Sequence, residues 1–206
     1  EIGLYRIAAC MKVGWQFENW LQGGLLEVAL QLPNGSPSFR YLHHEITEES
    51  QHSMMFQELV NRSGFPVRGM PRWVMPLRPL VIRCARHAPA LFFVMVLGGE
   101  DPIDHVQRQQ LKGENSHPLA ERIMRIHVTE EARHLSFARH TLKDRVPRLS
   151  RIRRHALALI APIVLGVMVR LMVWPQGDLV RHCNVPRDVL REANRSPEGR
   201  ALLADS

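Results

Sequence analysis

Two segments of the chain read Glu48-Glu49-Ser50-Gln51-His52 and Glu130-Glu131-Ala132-Arg133-His134. In each segment a Glu precedes a His by three residues. At about 100° per residue, side chains at this spacing lie on one helix face, one turn apart, so that both can bind one metal ion. Glu-x-x-His on two helices is typical of carboxylate-bridged two-metal sites inside four-helix bundles. The two segments therefore predict an all-α bundle with a metal centre in its core.

The rest of the chain supports an all-α fold, because its long segments are rich in helix-forming residues and lack the alternation of strands. We expect helices near residues 4–30, 38–61, 89–112, 118–143 and 155–173, followed by short helices near 186 and 196. Ser36 and Pro37 predict the start of the second helix. Residues 63–79 are predicted to be irregular, and Gly98, Gly99 and Pro102 predict a kink. The prediction is one domain over 1–206, with a core bundle at about 4–144 and packing helices at about 150–204.

Centres of this type need one more Glu from each of the other two helices. Glu100 and Glu131 lie at nearly equal distances from the predicted turn at Ser116, so they are expected at the same height in the bundle. On the first helix, Glu18 is off level with Glu49 by roughly 4–5 Å, whereas Glu27 is off by roughly 9 Å. The predicted acids are therefore Glu18 and Glu100.

His127 precedes Glu131 by four residues and His134 by seven, so the three side chains share one helix face. Two interpretations remain open on spacing alone. His127 is either a third imidazole on the metal or a histidine that hydrogen-bonds a ligand.

Several nearby residues are weaker candidates. Glu45 is expected to be solvated or to contact a ligand indirectly, and His44 to contact a ligand indirectly. Glu48 and Glu130 are expected to form salt bridges. Glu114 and His117 form a third Glu-x-x-His within a predicted turn, which shows that the spacing also arises by chance.

Composition excludes other classes of protein. The net charge is +7, but the arginine cluster at residues 148–154 has no interleaved aromatic residues, so no nucleic-acid partner is expected. Three cysteines without a CxxC pair argue against a disulfide framework and favour a reducing compartment. With no secretory signal visible, a cytoplasmic location is expected. The chain does not begin with Met, so we expect that its true N-terminus is missing.

The apolar stretch from Ala156 to Val169 is shorter than a bilayer span, and Arg170 follows it. We expect a buried packing helix without a membrane span. A membrane-associated helical protein is the alternative.

The chain resembles the ferritin-like di-iron N-oxygenases typified by p-aminobenzoate N-oxygenase. The resemblance covers roughly residues 11–141. It rests on FENWL around Glu18, EITEESQH at 45–52, GGED around Glu100 and HVTEEARH at 127–134. It implies seven metal ligands, which are Glu18, Glu49, His52, Glu100, His127, Glu131 and His134.

The resemblance also implies two Fe ions (with Mn/Fe as an option), O2 as co-substrate and an external electron donor, either a protein or a reductant. The implied reaction is oxidation of a small-molecule amine at nitrogen to a hydroxylamine or nitro product, and a homodimer is a family expectation. Two alternatives are a di-iron carbon hydroxylase or desaturase, and a non-catalytic ferritin-like protein that binds or stores metal.

Overall fold

The computed structural model describes residues 2–113, 117–173, 177–197 and 200, and within these residues the fold is all-α, as predicted. Two 3-10 turns, Met75–Leu77 and Val146–Arg148, flank helices. The helices are α1 (Ile2–Ala29), α2 (Pro37–Ser63), α3 (Arg78–His87), α4 (Pro89–Leu111), α5 (Pro118–Arg145), α6 (Arg151–Val173), α7 (Gly177–His182) and α8 (Arg187–Arg195).

Helices α1 and α2 form one hairpin and α4 and α5 form a second, with α2 against α5 and α1 against α4. This is a ferritin-like four-helix bundle. The first hairpin turns where predicted: the Ser36 hydroxyl oxygen accepts a hydrogen bond from the Phe39 N–H at 3.1 Å, which caps α2. At the other end of α2, Gly64 has a φ of 67°. This left-handed conformation suits glycine and ends the helix.

Helix α3 was not predicted. The prolines at 76 and 79 indicated an irregular segment, but Pro79 lies in the first turn of α3, where its missing N–H leaves no helical hydrogen bond unmade. Helix α4 continues without interruption through Gly98, Gly99 and Pro102.

Helices α1 and α4 pack closely at two glycines. A Cβ on Gly24 would lie 2.2 Å from the Phe92 ring, and a Cβ on Gly99 would lie 2.3 Å from the Phe17 ring. Only a residue without a side chain permits these contacts. The two acids expected from α1 and α4 are thereby held on neighbouring helices.

The prediction that the apolar helix near residue 160 is buried was wrong. One face of α6 packs against α4 through residues such as Met168 and Met172, but Ile152, Leu159 and Ile163 are 83%, 74% and 68% exposed. By length and composition, Arg151–Met172 could cross a membrane.

The C-terminal part agrees in outline with prediction. Helix α8 begins after Pro186 as expected, and α7 was not predicted. The expected turn at 114–116 and Glu198 of the last expected helix start lie outside the described residues.

Candidate metal centre

All seven predicted ligands lie inside the bundle and are almost fully buried, with at most 3% exposure. Helix α1 contributes Glu18 and α4 contributes Glu100. The other five residues come from the two predicted motifs, with Glu49 and His52 on α2 and His127, Glu131 and His134 on α5. Glu27, the rejected alternative on α1, is not among the buried residues.

The ligand atoms of these residues form overlapping groups of three, each within 4.8 Å: Glu18, His52 and His127; Glu49, His52 and Glu131; Glu100, His127 and Glu131; and Glu45, Glu49 and His134. Because the groups share members, they form one continuous cluster. The structure thus brings the predicted residues together, and their role as iron ligands remains a prediction.

His134 is held from both sides. Its Nδ1 lies 2.9 Å from Glu49 Oε1 and 3.1 Å from Glu131 Oε2, while its Nε2 lies 2.9 Å from Glu48 Oε2. An Nε2–H that donates to Glu48 leaves the Nδ1 lone pair directed into the cluster.

His52 has the matching arrangement from the other helix. Its Nδ1 lies 3.4 Å from Glu49 Oε2, and its Nε2 lies 2.8 Å from Glu130 Oε2. The salt bridges predicted for Glu48 and Glu130 therefore include the histidine of the opposite motif. Glu48 also accepts a hydrogen bond from Arg133.

His127 is oriented by a residue that sequence reasoning missed. Its Nδ1 lies 2.9 Å from Gln107 Oε1, and its Nε2 lies 3.7 Å from Glu18 Oε1 and 3.9 Å from Glu100 Oε2. Gln107 follows Glu100 by seven residues, which puts both on one face of α4. That spacing was the available signal. With Gln107 accepting from Nδ1–H, Nε2 is free to bind a metal.

Glu18 is positioned by a chain of polar side chains from α2 and α1. The Ser53 hydroxyl donates to Glu18 Oε2 at 3.0 Å, and Gln22 Nε2 donates to Ser53 Oγ at 3.2 Å. The Ser50 hydroxyl donates to Gln22 Oε1 at 3.1 Å. One oxygen of Glu18 is thus occupied, while Oε1 faces the cluster.

Charge within the cluster is divided unevenly. Burial raises the pKa of Glu49, but hydrogen bonds from His134 and His52 outweigh burial and lower the pKa to about 2. Burial lowers the pKa of His134, but hydrogen bonds to Glu131 and Glu49 raise it to about 12. Glu49 is therefore charged at neutral pH, with a protonated His134 beside it when a proton takes the place of a metal.

The remaining acids are held towards their neutral forms. Burial and the repulsion of neighbouring carboxylates raise the pKa values of Glu18 and Glu100 well above the ordinary value. Burial raises the pKa of Glu131 to about 7, and burial together with His52 lowers the pKa of His127 to about 3. So many buried carboxylates are costly unless a cation compensates them.

The donor set fits a pair of transition-metal ions. Among the described residues, one carboxylate oxygen of each of Glu18, Glu45, Glu100 and Glu131 is buried with no hydrogen-bond partner. Such oxygens are rare in native proteins, and a bound cation satisfies them. Carboxylates with imidazoles suit iron or manganese.

Glu45 is the acid whose position the sequence did not reveal. It was expected to be solvated or an indirect contact, yet it is 1% exposed and grouped with Glu49 and His134. His44 contacts Glu48 at 3.2 Å and is 62% exposed. His117 caps the start of α5, and its partner Glu114 in the third Glu-x-x-His lies outside the described residues.

A groove with a volume of about 1460 Å³ opens between the bundle and α6. Its lining includes Tyr41, which precedes Glu45 by one turn, and Arg133, which precedes His134. The Tyr41 and Phe137 rings stack at 4.5 Å, and Phe93 meets Phe137 edge-on at 6.0 Å. An apolar group in this groove would lie about one to two helical turns along α2 from the predicted ligand Glu49.

The fold and this site are those of a ferritin-like helical bundle whose core could hold a pair of metal ions. The chain belongs to the family described as p-aminobenzoate N-oxygenase AurF, whose profile matches residues 1–206. This is an oxygenase family, and the resemblance noted in the sequence is confirmed.

Two similar proteins come from mycobacteria. The uncharacterised protein MT0908 of Mycobacterium tuberculosis (strain CDC 1551 / Oshkosh) is 47% identical over 210 residues, and Mb0909 of Mycobacterium bovis (strain ATCC BAA-935 / AF2122/97) is 46% identical over 210 residues. The matches cover all of this chain and 61% of each relative, so the chain spans less than two thirds of their length. No solved structure matches the chain.

Proposed function

We propose that this protein is a di-iron oxygenase that uses O2 to oxidise a small-molecule amine at nitrogen. The observation that carries the proposal is the buried cluster of four carboxylates and three imidazoles on four helices, in a chain of the AurF family. In the first oxidation one oxygen atom is inserted into an N–H bond to give a hydroxylamine and the other leaves as water, with two electrons supplied by an external donor and two protons by solvent. A bound metal pair would supply this O2 chemistry.

The chain's own residues would set the geometry of the centre. Glu49 and Glu131 belong to the two motif helices and share a group with His52, so they would hold the metal pair from both of these helices. Glu18 on α1 and Glu100 on α4 would complete the coordination of the two ions. His52 and His134 would bind through Nδ1, because Glu130 and Glu48 occupy their Nε2 atoms, and His127 would bind through Nε2.

The groove would deliver the substrate. Its aromatic residues Tyr41, Phe93 and Phe137 could pack against an aryl or other apolar group. Arg145 and Arg153 also line the groove, and within the described chain neither guanidinium forms an ion pair. These side chains favour a substrate that carries negative charge at a distance from its amine.

The test begins with metal content of protein from iron-replete expression, for the parent and the double variant His134→Ala/Glu49→Ala. The matched control is His43→Ala/Glu58→Ala, an exposed His and Glu on the same helix. About two irons per chain are expected in the parent and control, and almost none in the site variant.

Product analysis then separates the reactions. Reduced protein with aryl amines and ¹⁸O2 should form a hydroxylamine or nitro product that contains ¹⁸O, and the site variant should not. Labelled oxygen on carbon would instead identify a carbon hydroxylase. Metal release and uptake without any oxidised product would identify a storage protein, and a folded parent without stoichiometric metal would overturn the proposal.

A further inference from the structure

The two motifs are longer than the Glu-x-x-His pattern. Residues 45–52 read EITEESQH and residues 127–134 read HVTEEARH, so the segments agree in alignment at the Thr, at both Glu residues and at the final His. In this alignment Glu45 of α2 corresponds to His127 of α5. Each precedes the motif Glu by four residues and the motif His by seven, which places it on the same helix face as both.

Equivalent residues of the two segments make equivalent contacts. Thr47 and Thr129 each donate to the backbone carbonyl four residues earlier, at 2.9 and 2.7 Å. Glu48 contacts Nε2 of His134 on the opposite helix, and Glu130 contacts Nε2 of His52. Reciprocal contacts of this kind are what an approximate two-fold relation between α2 and α5 produces. The correspondence of Glu45 with His127 is therefore spatial as well as sequential.

The surroundings of Glu45 are those of a ligand. Its side chain is 1% exposed, and its Oε2 atom is buried without a hydrogen-bond partner among the described residues. A carboxylate oxygen of Glu45 lies within 4.8 Å of ligand atoms of Glu49 and His134. An unpaired buried carboxylate oxygen beside an acid and an imidazole is in position to bind a cation.

We propose that Glu45 is an eighth ligand of the metal centre, which occupies on α2 the place that His127 occupies on α5. This inference rests on the proposed function, since it assumes the metal pair. With Glu45, each motif helix supplies three ligands in the same spacing. The two motif helices then differ in one ligand, because α5 adds an imidazole where α2 adds a carboxylate.

The test compares Glu45→Gln with Asp104→Asn by titration with Co(II) under anaerobic conditions, followed by visible absorption. Asp104 is the matched control, because it is also a buried acid with one carboxylate oxygen lacking a hydrogen-bond partner among the described residues, but its other oxygen pairs with Arg108 and it belongs to none of the four ligand groups. Glutamine keeps the size and shape of the Glu45 side chain but replaces one carboxylate oxygen with an NH2 group, which makes it a far poorer ligand. We expect two ions in the parent and control, and one of them weakened about tenfold or more in Glu45→Gln, with a changed absorption spectrum.

Glu45→His provides a second test that can be used if the Glu45→Gln variant does not fold. An imidazole at this position copies His127, so the variant should bind two Co(II) ions with a spectrum unlike the parent's. Parental affinity and an unchanged spectrum in Glu45→Gln, or in Glu45→His, would overturn the inference and leave the proposed function intact. A folded parent that binds no Co(II) would overturn both.

Discussion

Nε2 of His134 on α5 lies 2.9 Å from Oε2 of Glu48 on α2, while Nδ1 of the same ring faces Glu49 and Glu131. The pair His52 and Glu130 repeats this relationship in the opposite direction at 2.8 Å. Each motif thus supplies the acid that fixes the histidine tautomer of the other motif. The two helices must therefore be in register before either histidine is ready to bind a metal.

Replacing this acid should weaken metal binding. In Glu48→Gln the His134 ring loses a charged acceptor, so its tautomer and orientation are less well fixed. We expect a loss of about 10–100-fold in affinity for one ion. Competitive titration against a chromophoric chelator measures the change, with exposed Glu58→Gln as control. Parental affinity in Glu48→Gln would show that Glu48 serves its contacts with Arg133 and His44 and not the metal site.

Gln107→Leu should destabilise the protein and weaken the metal centre together. Leucine cannot accept the hydrogen bond from His127 Nδ1, so a buried N–H is left without a partner, at a cost of about 1–3 kcal/mol. Urea unfolding of the metal-free protein and Co(II) titration measure the two effects. Gln107→Glu, which keeps an acceptor, should retain Co(II) binding. A Leu variant as stable as the parent would contradict this role.

Glu100→Gln should stabilise the metal-free protein while it reduces metal content. Burial raises the pKa of Glu100 above its ordinary value of 4.5. Below pH 4.5 the Glu100 carboxyl is protonated in both the folded and the unfolded state, so it does not lower the free energy of unfolding. As the pH rises, the unfolded state loses this proton more readily than the folded state, and the free energy of unfolding falls. We expect the variant to gain roughly 1–3 kcal/mol at pH 8 and little near pH 4.

Urea unfolding with a chelator present, at several pH values, checks this pH dependence. Glu58→Gln, an exposed substitution on α2, should show no comparable trend. A Glu100→Gln variant less stable than the parent at pH 8 would mean that the carboxylate has a favourable partner in the fold.

Gly99→Ala should push α1 and α4 apart. The new methyl group would lie 2.3 Å from the Phe17 ring, and overpacking of this kind costs about 1–3 kcal/mol. Gly166→Ala on α6 is the control, because its methyl would meet nothing within 4 Å and should add helix propensity of up to about 1 kcal/mol. Thermal unfolding checks both variants. Equal melting temperatures would contradict the close approach.

Whether helix α6 crosses a membrane can be tested by experiment. We predict that any of this protein found in the membrane fraction is released by alkaline carbonate without detergent. The face of α6 that carries Met168 and Met172 packs on the bundle, so inserting α6 into a bilayer would expose the bundle surface that this face covers. Fractionation of expressing cells measures this. Retention until detergent is added would support a span by Arg151–Met172.

Local spacing was sufficient for the main elements of the site. Glu49, His52, Glu131 and His134 follow from Glu-x-x-His on helices, and the height of Glu100 follows from its distance to a turn. Glu18 was chosen by the same comparison of distances to a turn, because Glu27 would lie farther from the height of Glu49. These inferences succeed because helix geometry converts sequence distance into spatial distance.

Other features depended on contacts that no local pattern contains. Helix α3 was missed because its prolines start a helix instead of interrupting one, and the outer face of α6 was wrongly expected to be buried. Gln107 and Glu45 required knowledge of which helix faces meet, since the same spacing on a solvent face would make both ordinary surface residues.

By itself, the sequence determined an all-α bundle, the shared helix faces of Glu49 with His52 and of His127 with Glu131 and His134, and the heights of Glu18 and Glu100. The helical repeat decides which residues share a face, and the rise per residue decides their height. Only the tertiary structure decided which atom of each histidine faces the cluster, and that Glu45 joins it. Those outcomes depend on how α2 packs against α5 and α1 against α4, at distances set by side chains far apart in the chain.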